Sequence, residues 1–102
     1  MIVVRDTFQV KFGRIREATE AWKQGLAIAK QHGLGPKNGR LMTDFIGGSY
    51  YTLVLETTFE SLTEYEKEMQ GTLGSQQWRD WYQKFVPLID SGRREIFKIV
   101  DM

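Results

Sequence analysis

Residues 2 to 10 alternate, with Ile2, Val4, Asp6, Phe8 and Val10 on one side and Val3, Arg5, Thr7 and Gln9 on the other. That period of two predicts a strand. After a turn at Lys11 to Gly13, the residues Ile15, Ala18, Trp22, Leu26 and Ala29 recur at spacings of three and four, one face of a helix. This helix is expected to end near His32 and Gly33, because Gly33 can take the left-handed conformation and Pro36 blocks continuation. Arg40 to Ile46 predicts a second strand, joined through Gly47, Gly48 and Ser49 as a tight hairpin to a third over Tyr50 to Phe59. The third strand is apolar on both faces, with Tyr51, Leu53, Leu55 and Phe59 in one row and Tyr50, Thr52 and Val54 in the other. Two different layers must therefore cover it.

Ser61 and Glu64 form a capping-box pattern that opens the next helix, the Glu reaching back to the Ser amide. Gly71 and Gly74 break the chain before Trp78, Trp81, Tyr82, Phe85 and Leu88 resume helical spacing, and Pro87 ends or distorts that last turn. Asp90, Ser91 and Gly92 predict a turn, and Arg93 to Val100 a fourth strand. The order is β-α-β-β-α-β. Two right-handed crossovers give an α+β, ferredoxin-like sandwich: a four-stranded antiparallel sheet with its helices on one face. A chain of 102 residues with no repeat or linker forms one domain over 1–102, burying about 65% of its unfolded surface. Tyr50, Val54, Ile96 and Val100 are assigned to the face away from the helices. An apolar patch of that kind marks an interaction surface, and a second copy is its simplest cover, so a homodimer is expected.

Charge and composition narrow the function classes. Fourteen basic against 13 acidic residues leave a net charge of +1, with no long run of one sign, so neither nucleic acid nor a membrane surface finds an electrostatic footprint. No stretch reaches the 18 or so apolar residues of a membrane span, and charges at positions 5 and 6 interrupt any signal-peptide core. Zero cysteines exclude a disulfide scaffold, a thiolate metal site and a thiol nucleophile, and a cytoplasmic location is the expectation.

The segments MIVVRDTFQVKFG, ETTFESLTEYE and the last strand after a Trp-rich helix resemble the dimeric α/β-barrel superfamily over nearly the whole chain. ESLTEYEKE, SQQWRDW and SGRREIFKIV are similar to NIPSNAP-like proteins, whereas the first strand resembles the antibiotic-biosynthesis monooxygenases and their haem-degrading members. The resemblance implies two sheets packed into a joint barrel, each subunit holding a pocket between its own sheet and helices. Haem-degrading members use an Asn on strand one, a Trp at the end of strand three and a His on the following helical stretch. Here the first two positions are Asp6 and Phe59, and Gly71 to Leu88 contains no His. Without the axial ligand, haem degradation is disfavoured and no cofactor is expected. The leading reading is a NIPSNAP-like protein binding a small apolar or aromatic molecule. The alternative is a cofactor-independent monooxygenase or isomerase acting on a small quinol-like substrate.

Asp6 interrupts the apolar row that should face the helices. It could orient a ligand hydroxyl or act as a general base, or it could be a structural ion pair with Arg94 on the adjacent strand. Trp22, Trp78, Trp81, Tyr82 and Phe85 are either plain core or the walls of a flat aromatic pocket, with Trp22 and Phe59 suited to both purposes. Tyr51, beneath the helices, joins Trp22, Phe59, Trp78 and Tyr82 as a ligand-binding candidate. The lone His32 is a base or, more plainly, a partner of the helix dipole, and no metal site is credible. GLGPKNG at 33–39 follows a helix and reads as a connector, while Ser49, Ser61, Ser75 and Ser91 sit at turns or caps. An RNA-recognition module shares the topology, but YYTLVLETTF lacks that module's basic and Gly-aromatic signature.

Overall fold

The alternating first segment is the inner strand β1 (Ile2–Val10), and the computed structural model describes residues 1–31 and 39–102, the side chain of Leu73 excepted. It is followed by α1 (Ile15–Gln31), β2 (Arg40–Thr43), β3 (Thr52–Phe59), α2 (Leu62–Leu73), α3 (Gln76–Phe85), one 3-10 turn at Val86–Leu88 and β4 (Ile89–Lys98). The sheet order is β2-β3-β1-β4 and every pairing is antiparallel. This is the ferredoxin-like α+β arrangement, with two consecutive helices in the second crossover.

Register decides which side chains share a face. Val4 lies opposite Thr57 and Ile96, Asp6 opposite Leu55 and Arg94, and Phe8 opposite Leu53 and Gly92. That row faces the helices: Leu53 and Leu55 are buried there with Val10, Ala18, Trp22, Trp81 and Phe85, and Val4 and Phe59 with Tyr65 in a second cluster. The expected helical face of α1 is met by Ala18, Trp22 and Ala29, with Gly25 buried in the same stripe.

Ile96 therefore belongs under the helices, opposite Val4, and Phe97 takes the place expected of it on the open face, opposite Val3. The parity turned on where β4 begins. Asp90, Ser91 and Gly92 are strand rather than turn, because Ser91 and Gly92 pair with Gln9 and Phe8 and an irregularity at Gln9/Val10 absorbs the slip. Gly92 is needed there: a Cβ would stand 3.0 Å from Cδ1 of the Phe8 ring.

Three further boundaries differ. The β2–β3 connection is wider than a tight hairpin. Asp44 Oδ1 accepts the Thr52 N–H at 2.7 Å while the Asp44 N–H donates to the Thr52 carbonyl at 3.1 Å. This exchange closes the ladder at Thr43 and Thr52, leaving Phe45 to Tyr50 outside both strands. Tyr51 cannot extend β3, since its φ of 58° lies in the left-handed region. Gly71 does not break α2, which runs on to Leu73. Gly74 caps it with an ordinary φ of −75°. The Glu64 amide donates to Ser61 Oγ as expected, yet the Glu64 carboxylate accepts from the Glu60 amide at 2.7 Å, one residue beyond the Ser. The open face is also less apolar than expected, because Val54 is flanked along β3 by Thr52, Glu56 and Thr58. His32 and all of GLGPKNG except Gly39 lie outside the described residues.

Candidate functional site

Where the apolar row of β1 is interrupted, Asp6 meets Arg94 directly across the β1–β4 ladder. Asp6 Oδ1 accepts from Arg94 Nε at 2.5 Å, and Arg94 Nη1 donates to the Tyr65 hydroxyl at 2.8 Å. The Asp6 side chain is 14% exposed and that of Arg94 52%. Burial alone would lower the Arg94 pKa, but the Asp6 carboxylate and the Tyr65 oxygen outweigh it and hold the guanidinium above its usual value. Asp6 thus forms the ion pair with Arg94 that its place opposite it on the ladder allows. Tyr65 is anchored in turn against Phe59, ring centroids 5.3 Å apart.

Beside this polar relay stands an aromatic wall. Trp22 of α1 lies 4.7 Å from Trp81 and 5.5 Å from Phe85 of α3, and Phe8 of β1 lies 5.6 Å from Trp22. Trp81 stacks on Phe85 at 5.3 Å and 8°. Its indole Nε1 donates to the Ala21 carbonyl of α1 at 2.5 Å. Ser75, the N-cap of α3, accepts the Trp78 amide at 3.1 Å and so fixes the first turn of the helix that carries most of the wall. Among the described residues the Trp22 indole N–H, although buried, meets no hydrogen-bond acceptor.

Wall and relay together bound an open cleft of about 360 Å³ between the sheet and α3. Asp6, Trp22, Trp78, Trp81, Tyr82 and Phe85 line it, all of them singled out from sequence. Tyr51 and Phe59 do not. Tyr51 packs on Phe12 at 4.9 Å, and Phe59 belongs to a separate cluster with Val4 and Tyr65. Phe8, Gly92, Arg93 and Arg94 are among the residues that line the rest of the cleft. Phe8 carried a signal, its place in the apolar row, whereas Gly92 resembled a turn residue.

A second concavity of about 520 Å³ lies on the open sheet face, lined among others by Thr7, Gln9, Met42, Val54 and Arg93. On the same face Glu56 receives Arg40 at 2.7 Å and Arg5 at 3.0 Å. The hydrogen bond from Arg40 is the chief cause that lowers the Glu56 pKa; burial opposes it and Arg5 adds to it. Arg5 in turn lies 5.2 Å from the Phe97 ring centroid. Among the described residues, no three His, Cys, Asp or Glu side chains gather so as to hold a metal ion, and no helix is long and apolar enough to cross a membrane.

Comparison with known proteins adds to this geometry. The NIPSNAP family model matches residues 5–102. An uncharacterized NIPSNAP domain protein from Burkholderia xenovorans superposes with a TM-score of 0.82 at 17% identity, over 98% of this chain and 95% of that one. A NIPSNAP family protein with unknown function from Agrobacterium tumefaciens gives 0.85 at 23% identity, over 97% and 87%. A cofactor-independent oxygenase from Streptomyces nogalater gives 0.67 at 12% identity, over 99% and 94%. No curated protein matches the sequence.

Proposed function

The chain belongs to the NIPSNAP family, and from that premise we propose that it is a cytoplasmic homodimer whose helix-side cleft binds a small apolar or aromatic molecule. The observation that carries this reading is the cleft itself. Its volume of about 360 Å³ falls within the range of small-molecule sites. It is walled by Trp22, Trp78 and Tyr82 with one polar relay at its edge, the pattern of an apolar pocket with few orienting groups. The dimer is supported by the open face, where Val54, Met42 and the 44%-exposed Phe97 have no covering layer among the described residues.

The oxygenase or isomerase reading is not favoured. The likeness to an oxygenase is a likeness of fold at 12% identity. Asp6, the candidate base, has a carboxylate oxygen already engaged by Arg94.

Binding is tested by titrating the protein with a neutral naphthalene derivative such as 2-naphthylmethanol while following the three indole N–H resonances by NMR. Saturable shifts of the Trp22 and Trp78 signals, weakened roughly tenfold or more in Trp78→Ala, are the expected result. Unmoved indole signals up to the solubility limit of the probe would remove the cleft from consideration.

A further inference from the structure

The geometry points to an anionic ligand: an aromatic carboxylate whose ring lies along the tryptophan wall and whose carboxylate is received by Arg94. This rests on the cleft reading above and adds the chemical class of the ligand.

Three observations converge on it. First, the Arg94 guanidinium is oriented by two bonds, Nε to Asp6 of β1 and Nη1 to the Tyr65 hydroxyl of α2. A guanidinium carries five N–H donors and these bonds use two. The Nη2 donors have no partner among the described residues, so a fork already held in place retains unsatisfied donors. Second, the bond partners are unequally buried: the Asp6 side chain is 14% exposed and Arg94 52%. The carboxylate fixes the guanidinium from the buried side and leaves the rest of it accessible. A pre-oriented, partly dehydrated fork is the arrangement that suits a bidentate oxyanion. Third, the ionisable carboxylates and guanidiniums lining the cleft are Asp6, Arg93 and Arg94, one negative against two positive charges. Arg93 is shared with Glu95 at 3.6 Å, and Asp6, the carboxylate of the cleft lining, is already held by Arg94, so no unpaired negative charge in that lining opposes an anion beside the apolar wall.

A purely structural Arg94 accounts for the ion pair but gives no role to the Nη2 donors left without a partner among the described residues. The two roles differ in what they predict for ligands of the same shape and different charge.

The test compares 2-naphthoate with 2-naphthylmethanol, which share a ring system, on the intact protein at neutral pH, by calorimetry and by the Arg94 Nε–H resonance. Naphthoate is expected to bind roughly tenfold or more tightly and to shift the Nε–H signal, which the alcohol leaves in place. In the double variant Asp6→Asn/Arg94→Gln, which removes both charges together so that neither is left buried alone, the preference is expected to vanish while the alcohol still binds. Equal affinities for the two probes in the natural protein would overturn the anionic assignment and leave the cleft reading standing. A preference that persists in the double variant would also overturn it, by placing the anion elsewhere. If neither probe binds, the cleft reading fails and this inference with it. The Nε–H measurement needs no variant, so misfolding of the double variant leaves a decisive result.

Discussion

Glu56 answers two guanidiniums from neighbouring strands, and its side chain is only 13% exposed while those of Arg5 and Arg40 are 41% and 68% exposed. Its carboxyl ionises at lower pH in the folded chain than in the unfolded one. The stability it contributes is therefore fully present above the ordinary glutamate range and is lost as pH falls through the lowered value. Glu56→Gln should be less stable than the natural protein at pH 7, by up to about 1 kcal/mol given the exposure of the arginines. That difference should shrink below about pH 4. Urea unfolding at pH 7 and pH 3 checks it; a penalty independent of pH would assign the effect to shape rather than charge. At this scale the sequence is legible where alternation and antiparallel register suffice. The Asp6–Arg94 pair could be anticipated from the adjacency of the first and last strands, although the face assigned to Ile96 put Arg94 on the opposite side from Asp6 until the register of β4 set it right. Gly25 and Gly92 could not, since what matters at each is a neighbour's ring approaching backbone from a distant segment, and a missing side chain leaves no periodic trace.

The contact between α1 and α3 depends on one of those glycines. A Cβ on Gly25 would stand 2.7 Å from Cε2 and Cζ2 of Trp81, an indole pinned by Phe85 and by its bond to the Ala21 carbonyl. Alanine is the better helix former by about 1 kcal/mol, yet overpacking a ring that cannot yield costs about 1–3 kcal/mol. Gly25→Ala should therefore lower stability by about 1 kcal/mol, with a fall in Tm of several degrees in a thermal melt. A raised Tm would mean that the two helices can part without cost. Strands and helices were recovered in order because each has a strong period. Their ends were not, because they are set by exchanges such as Asp44 with Thr52, and by the pairing that extends β4 back to Ile89, which local turn chemistry does not report.

The whole molecule is a slab of 38 × 36 × 17 Å, one sheet and one helical layer deep. Its radius of gyration of 13.9 Å exceeds the about 13 Å of a compact chain of this length. It exposes 7140 Å², whereas a folded monomer of 11.9 kDa is expected to expose about 5,900 Å². The excess, about 1,200 Å², is more than the about 800 Å² that each partner contributes to an ordinary stable interface. We expect sedimentation equilibrium to give twice the chain's 11.9 kDa. Val54→Arg, which sets a charge between Thr7 and Met42 in the middle of the open face, should give the single-chain mass with its fold intact by circular dichroism. A natural protein that sediments as a single chain at tens of micromolar would refute the dimer.

Phe8 and Gly92 line both the helix-side cleft and the concavity on the open face. At Gly92 the sheet carries no side chain of its own and the Phe8 ring lies against the backbone, so there it is a thin party wall, with a guest's room on one side and the space a neighbour would occupy on the other. A guest that presses the Phe8 ring toward Gly92 would deform the wall from within, and a second chain closing over the sheet would bear on it from without. Should a guest change the strength of association by some factor, association must return the same factor to the guest's affinity.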